Sequence, residues 1–212
     1  MTTEIKPKAK IICYAGPKAG GAHYSRSWGL QRALSKVGFS CGLYLSDSSY
    51  IPNRFLEYEL SVIDHPLAKN LGDAQSKLVV ITDYDKDFPE ADIVIKPWQN
   101  LEEVILRPEF WKTPKPRVIP LRAENILLCA GRNNQRLSLQ LWRHLLEDSG
   151  LTCNLLLEVK TPRSTMEGAD MAITAGGQTM YELVHLGVPT IAIDLSRDQS
   201  LNVHSMKSAG VV

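Results

Sequence analysis

The segment Ala169–Asp198, ADMAITAGGQTMYELVHLGVPTIAIDLSRD, permits few backbones. An apolar strand runs into Gly176–Gly177, a helix opens with Thr179 and closes at Gly187, and Pro189 leads straight into a second apolar strand. Proline cannot continue the helix, and glycine supplies the sharp exits. Both strands are apolar on both faces, as parallel strands covered by helices are. The glycine pair lets a backbone approach a ligand closely, and a helix N-terminus offers free N–H groups and partial positive charge to a phosphate. Glu182, one turn further in, can accept hydrogen bonds from a sugar diol. Gly176, Gly177, Gln178, Thr179 and Glu182 therefore form a candidate pocket for a nucleoside diphosphate. A plainer alternative makes Thr179 a cap and Glu182 a complement to the helix dipole. It requires neither consecutive glycines nor the G-x-P exit.

The same alternation runs along the whole chain. Ile11–Tyr14 reads as a strand, Ala15–Ala22 as a glycine-rich loop, and a helix begins near Tyr24, with Leu30, Ala33, Leu34 and Val37 at helical spacing and Gly38 as its stop. Cys41–Leu45, Glu59–Ile63, Leu78–Thr82 and Ile93–Ile95 read as further strands. Five prolines (97, 108, 114, 116 and 120) then break regular structure, leaving a helix turn or two at Leu101–Leu106. Beyond them Ile126–Cys129 is a strand and AGRNN a turn containing Gly131. Leu137–Leu146 follows as an amphipathic helix, with Leu137, Leu141, Trp142, Leu145 and Leu146 on one stripe. Leu155–Val159, Met171–Thr174 and Thr190–Ile193 are strands, and Leu201–Ser208 is a last short helix. The expected fold is α/β: two small Rossmann-like domains, 1–98 and 121–212, joined by a proline-rich linker 99–120, their parallel sheets facing across a cleft.

Composition excludes several classes. Across 212 residues the formal net charge is +1 and no basic patch dominates, which argues against a broad face for nucleic acid. No apolar run reaches the ~18 residues of a membrane span, and the N-terminus lacks the apolar core of a signal peptide. Cys13, Cys41, Cys129 and Cys153 stand singly without a CxxC pair, so they read as reduced core residues of a cytoplasmic protein. His144, His185 and His204 show no zinc spacing, and no GxSxG elbow is present. Asp83, Asp85 and Asp87 alternate in TDYDKDF but lack the glycine and distal glutamate of a calcium loop; a solvated acidic turn is expected. Neither a metal nor a cofactor is expected, and the sequence leaves the oligomeric state open.

AGGQTMYELVHLGVP followed by DQSLNVHSMKSAG resembles the nucleotide-binding half of GT-B-fold enzymes that use UDP-sugars. Two families come closest: the UDP-sugar hydrolase of pseudaminic acid biosynthesis and the UDP-GlcNAc transferase of peptidoglycan synthesis. The rest of the chain resembles the hydrolase. GAHYSRSWGLQRALSKVG is similar to its G-x-G-H-x-x-R segment, SVIDHP to its V-D-H-Y-G strand end, VITDYDKDFPEADIVIKP to its next strand and loop, and LLCAGRNNQRLSLQL to its M-G-G-T-D segment. The departures are Ala22 for a glycine, Pro66 for a tyrosine, and Arg132 and Asn133 for Thr and Asp. Several connections are shorter, and the family continues beyond the position of Val212, so the second domain reads as truncated relative to it. The resemblance implies a metal-independent hydrolase that releases UDP and a free amino or deoxy sugar from a small-molecule nucleotide-sugar. A GT-B glycosyltransferase with the same donor, or a non-catalytic nucleotide-sugar binder, are the alternatives. No apolar patch flanked by basic residues stands out as a platform for a lipid-linked acceptor.

The catalytic candidates lie at strand ends. His23 follows Gly20–Gly21 at the mouth of the first loop, where ligands bind in open α/β sheets. A neutral imidazole there can take a proton from water; the alternative is a solvent-satisfied histidine at a helix start. Gly21 accompanies it as a ligand-binding candidate. Arg26, one helical turn on, either orients a carboxylate or phosphate or is a surface charge. Asp64 and His65 close the third strand with side chains pointing apart. Asp64 can therefore bond the His23 ring or a ligand hydroxyl, or else begin the turn before Pro66. Gln199 and Asn202 can face the nucleotide pocket or serve as turn and capping residues. Gly131 completes the set on the binding side.

Overall fold

The computed structural model describes residues 5–16, 21–47, 58–65, 71, 76–130, 139–156 and 162–212. The chain divides into two compact units, Met1–Arg107 and Pro108–Val212. In the first, β1 (Lys8–Tyr14), β2 (Ser40–Ser46), β3 (Leu60–Asp64), β4 (Lys77–Ile81) and β5 (Ile93–Ile95) form one sheet in the order β2-β1-β3-β4-β5. Every pairing is parallel. Helix α1 (Gly21–Lys36) connects β1 to β2. Side-chain alternation gives the sheet two buried faces. Ile11, Val62 and Ile81 pack with Leu30 and Leu34 of α1, while Ile12, Ile63, Leu78 and Val80 pack with Leu71 and Phe88 on the other side.

The second unit repeats the scheme with a sheet in the order β7-β6-β8-β9: β6 (Asn125–Cys129), β7 (Thr152–Leu155), β8 (Met171–Ala175) and β9 (Thr190–Ile193), again all parallel. Its helices are α2 (Leu139–Asp148), α3 (Pro162–Glu167), α4 (Gln178–His185) and α5 (Arg197–Ser208). In both sheets the chain leaves its first strand for one neighbour and returns on the other side. The change of direction lies beside β1 in one unit and beside β6 in the other, and the carboxyl ends there are where α/β sheets bind ligands.

Helix ends follow the glycines. After α4, Gly187 takes φ 68° while its N–H bonds Val184 and the N–H of Val188 bonds Leu183. This is a Schellman closure, and Pro189 then releases the chain into β9. Gly38 closes α1 in the same way, with Phe39 N–H on the Leu34 carbonyl.

Three sequence expectations change. Helix α1 starts at Gly21, not near Tyr24, which brings His23 into its first turn. Helix α3 lies between the predicted strands Leu155–Val159 and Met171–Thr174, where the sequence was assigned no element. The apolar stripe of α2 divides: Leu139 and Leu146 pack on the β6–β7 face, whereas Leu141, Trp142 and Leu145 remain exposed. Leu137 and most of the predicted strand Leu155–Val159 lie outside the described residues. Within the proline-rich stretch the unit boundary falls between Arg107 and Pro108. From there on the chain is held by the second unit: Phe110 is fully buried, Arg163 donates to the carbonyls of Glu109 and Lys112, and Arg117 donates to those of Glu167 and Ala169.

Gly29, inside α1, marks where the helix touches the end of the first unit: an added Cβ would stand 2.7 Å from the Leu106 carbonyl oxygen. Alanine ordinarily improves a helix interior by about 0.5–1 kcal/mol over glycine. Here the clash is with backbone and dominates. Gly29→Ala should therefore lower stability, by about 1–2 kcal/mol in a urea titration.

Candidate active site

In the first unit His23, Arg26 and Ser27 sit at i, i+3 and i+4 and so share one face of α1. That face meets Asp64 at the end of β3, which is fully buried. Four donors converge on its carboxylate. Arg26 Nε reaches Oδ2 at 2.7 Å and Nη2 reaches Oδ1 at 2.6 Å. Ser27 Oγ donates to Oδ2 at 3.0 Å, and His23 Nδ1 lies 2.7 Å from Oδ1. A carboxylate offers about four lone-pair sites, so Asp64 is saturated.

The histidine tautomer follows. Only a proton on Nδ1 makes the 2.7 Å approach to Asp64 attractive. Arg26 Nη2, 3.1 Å from the same nitrogen, can donate but not accept, so it cannot replace that bond. Neutral His23 therefore carries its proton on Nδ1 and presents Nε2 as a bare acceptor. Its side chain is 13% exposed, enough for contact with a small reactant. The edge-on Tyr14 ring, 5.9 Å from the imidazole centroid, restricts it on another side. Tyr14 also packs against buried His65 at 4.7 Å.

Arg26 is buried, so the surface-charge reading of it does not hold. Its outer edge engages Asp83, with Nη1 to Oδ1 at 2.6 Å and Nη2 to Oδ2 at 2.8 Å. Burial opposes its charge, but the two carboxylates outweigh this and hold the guanidinium firmly cationic. Burial would likewise raise the Asp64 carboxyl, yet Arg26 and His23 keep it well below the usual carboxylate range.

Asp83 corrects the expectation of a solvated acidic turn. Its side chain is 12% exposed, while Asp85 and Asp87, at 72% and 99%, face solvent with Lys96 beside them. Sequence spacing could not assign Asp83, because its partner lies on a helix three strands earlier. The Cys13 thiol, at the edge of this cluster, is pushed up to about 12 by burial and then by Asp64, which removes it as a nucleophile.

In the second unit the β8–α4 turn contains the glycine pair. Gly177 is the N-cap of α4 with extended backbone and no side-chain capping bond, so Thr179 is not the cap. The first turn of α4 carries no acidic side chain. Glu182 lies beyond that turn and is fully buried. Gly176 is a packing requirement: an added Cβ would sit 2.3 Å from Val203 Cγ2 and 3.1 Å from the Gln199 carbonyl oxygen. Asn202 is buried and turned inward, donating to the Gly176 carbonyl at 3.1 Å while accepting from Tyr181 Oη at 2.8 Å. Gln199 lies over the turn, its Nε2 4.0 Å from where a Cβ on Gly177 would be. Among the described residues its Oε1 is buried without a hydrogen-bond partner. Gly21 is exposed in the first turn of α1, and Gly131 lies outside the described residues. Among the described residues no group of three or more His, Cys, Asp or Glu could hold a metal ion, and no helix is long and apolar enough to cross a membrane.

Removing one member of a buried ion pair strands the other, typically at a cost of about 3–5 kcal/mol. Asp64→Asn should destabilise the chain on that scale near neutral pH. Because the folded Asp64 carboxyl is depressed, its contribution is complete above the unfolded carboxylate range near ~4 and is lost as pH falls through the folded value. The difference between the parent and Asp64→Asn, read by thermal unfolding from neutral to acid pH, should shrink below about pH 4.

No protein-family model matches the chain, and no curated protein matches it by sequence. Among solved structures, MurG from Acinetobacter baumannii superposes with a TM-score of 0.61 at 15% identity, covering 96% of this chain and 84% of MurG. A ligand-free, open substrate-binding protein with adhesive properties from Clostridium difficile matches at a TM-score of 0.30 and 12% identity, over 97% of this chain and 84% of its own, which carries no argument. The MurG likeness, with two all-parallel α/β units, gives the chain a GT-B-like fold of two Rossmann-like units.

Proposed function

We propose that the chain is a GT-B-type enzyme that cleaves the anomeric C–O bond of a nucleoside-diphosphate sugar, with His23 as the base that activates the acceptor oxygen. One observation carries this reading: Asp64 holds the Nδ1 proton of His23, leaving Nε2 unprotonated on a partly exposed side chain at the carboxyl end of the first sheet. The diphosphate is assigned to the Gly176–Thr179 turn, whose helix start lacks a side-chain cap and carries no competing carboxylate. The orphaned Gln199 Oε1 above the turn supports a ligand hydroxyl or amide donor at that point. Glu182 is fully buried, so a ribose contact through it would require the turn to open.

In the reaction, Nε2 takes the acceptor's proton, the acceptor oxygen bonds to the anomeric carbon, and the electron pair of the broken bond departs with the diphosphate. The acceptor distinguishes two readings. Transfer to a hydroxyl makes the chain a glycosyltransferase with a UDP-sugar donor, the reading that the MurG-like fold supports. The connecting segment favours it too: Val118, Ile119 and Leu121 are exposed between Lys115 and Arg122, an apolar run flanked by basic residues. Transfer to water makes it a hydrolase, the reading supported by the ordered resemblance of GAHYSR, SVIDHP and the following segments to the pseudaminic acid pathway enzyme.

UDP should raise the melting temperature of the purified chain, and UDP should be released from at least one UDP-sugar in a panel of amino, deoxy and acetamido sugars. His23→Ala should lower the release rate by about 10²–10⁴-fold while leaving the UDP-induced shift intact. Full turnover in that variant would remove His23 from the mechanism. Product analysis with and without added acceptors then separates transfer from hydrolysis.

A further inference from the structure

The buried cluster around His23 contains one carboxylate more than a simple orienting pair requires. Asp64 alone would hold the ring, and Arg26 alone would neutralise Asp64. Asp83 is the addition: it takes the outer edge of the same guanidinium in a two-bond fork at 2.6 and 2.8 Å. With both carboxylates ionised, the Asp64–Arg26–Asp83 trio carries one net negative charge in a site sealed from water on nearly every side. The groups against His23 are Tyr14 from β1, Arg26 from its own helix and Asp64 from β3, with Asp83 acting through Arg26; His65, just after β3, packs on the Tyr14 ring. Arg26 is the fixed cation of this set, and it lies 3.1 Å from the imidazole. Left with Asp64 alone, it would oppose a second positive charge on the ring.

Resting on the reading of His23 as the base, we propose that Asp83 is a positioning residue that offsets Arg26, so that the negative charge of Asp64 stays available to the imidazolium formed when His23 takes the acceptor's proton. Arg26 thereby fixes the geometry of Asp64 without cancelling its charge. Fully formed, the cluster of two carboxylates, one guanidinium and one imidazolium is electrically neutral, so the state that follows proton transfer is matched by its surroundings.

The test uses the full chain with Asp83→Asn and Asp83→Ser made side by side, so that one folded variant suffices, and with Asp83→Glu as the conservative control. Histidine labelled with nitrogen-15 allows the His23 ring to be followed by NMR through a pH titration, its signal assigned by its loss in His23→Gln. In the neutral variants the ring should take up its proton at lower pH, corresponding to a three- to tenfold loss of proton affinity as an order of magnitude, while Asp83→Glu stays close to the parent. In parallel, kcat/KM for UDP release should fall about tenfold, with its acid limb displaced in the same direction. A lower melting temperature with an unmoved titration would make Asp83 merely structural and overturn the proposal. A displaced titration in a chain that turns over no nucleotide-sugar would uphold the charge role of Asp83 and reject the enzymatic reading.

Discussion

A single guanidinium bound by two carboxylates organises the first unit. Arg26 comes from α1, Asp64 from the end of β3 and Asp83 from the turn after β4, so one planar fork joins three separate parts of the fold. Arginine suits this place because its donors are rigid and coplanar and can serve two bidentate partners; lysine offers one point charge. Burial makes the arrangement unforgiving, since each member is tolerated there only while the others are present. His23 depends on it at one remove. Its orientation comes from Asp64, and the orientation of Asp64 comes from Arg26 and Ser27.

Much of the architecture was legible because the relevant physics is local. Short apolar runs separated by glycines predicted parallel strands, and Gly38 and Gly187 marked helix ends by requiring positive φ. The H-x-x-R spacing set His23 and Arg26 one helical turn apart, and Asp64 was read as a partner for the His23 ring or a ligand hydroxyl, or as the start of a turn. What escaped was non-local. Nothing in TDYDKDF distinguishes Asp83 from Asp85 or Asp87; only the sheet order brings one of them against Arg26. The stripe on α2 was misjudged for a related reason. Periodicity identifies an apolar face but does not say how wide a surface is available to cover it, and β6–β7 accommodates Leu139 and Leu146 while leaving Leu141 and Leu145 outside.

The glycine pair illustrates how one residue type answers to two demands. Gly177 fits the ligand explanation, standing as a helix cap without a side chain. Gly176 is required by packing, because Val203 and the Gln199 backbone occupy the space its side chain would need. Asn202, read from sequence as either a pocket residue or a turn residue, spends both ends of its amide inside the protein. The second unit therefore resembles a phosphate-binding turn partly through residues that build the turn without facing a ligand.

That construction makes the order of the turn a property of the last helix. Asn202 ties the Gly176 carbonyl to Tyr181 and lies on α5, so the turn keeps its shape only while α5 stays docked. In local-unfolding terms the two form one cooperative block, and the free energy that opens the helix also releases the turn. Sequence drift on the far surface of α5 can thus tune the rigidity of the Gly176–Gly177 backbone without altering any residue of the turn itself.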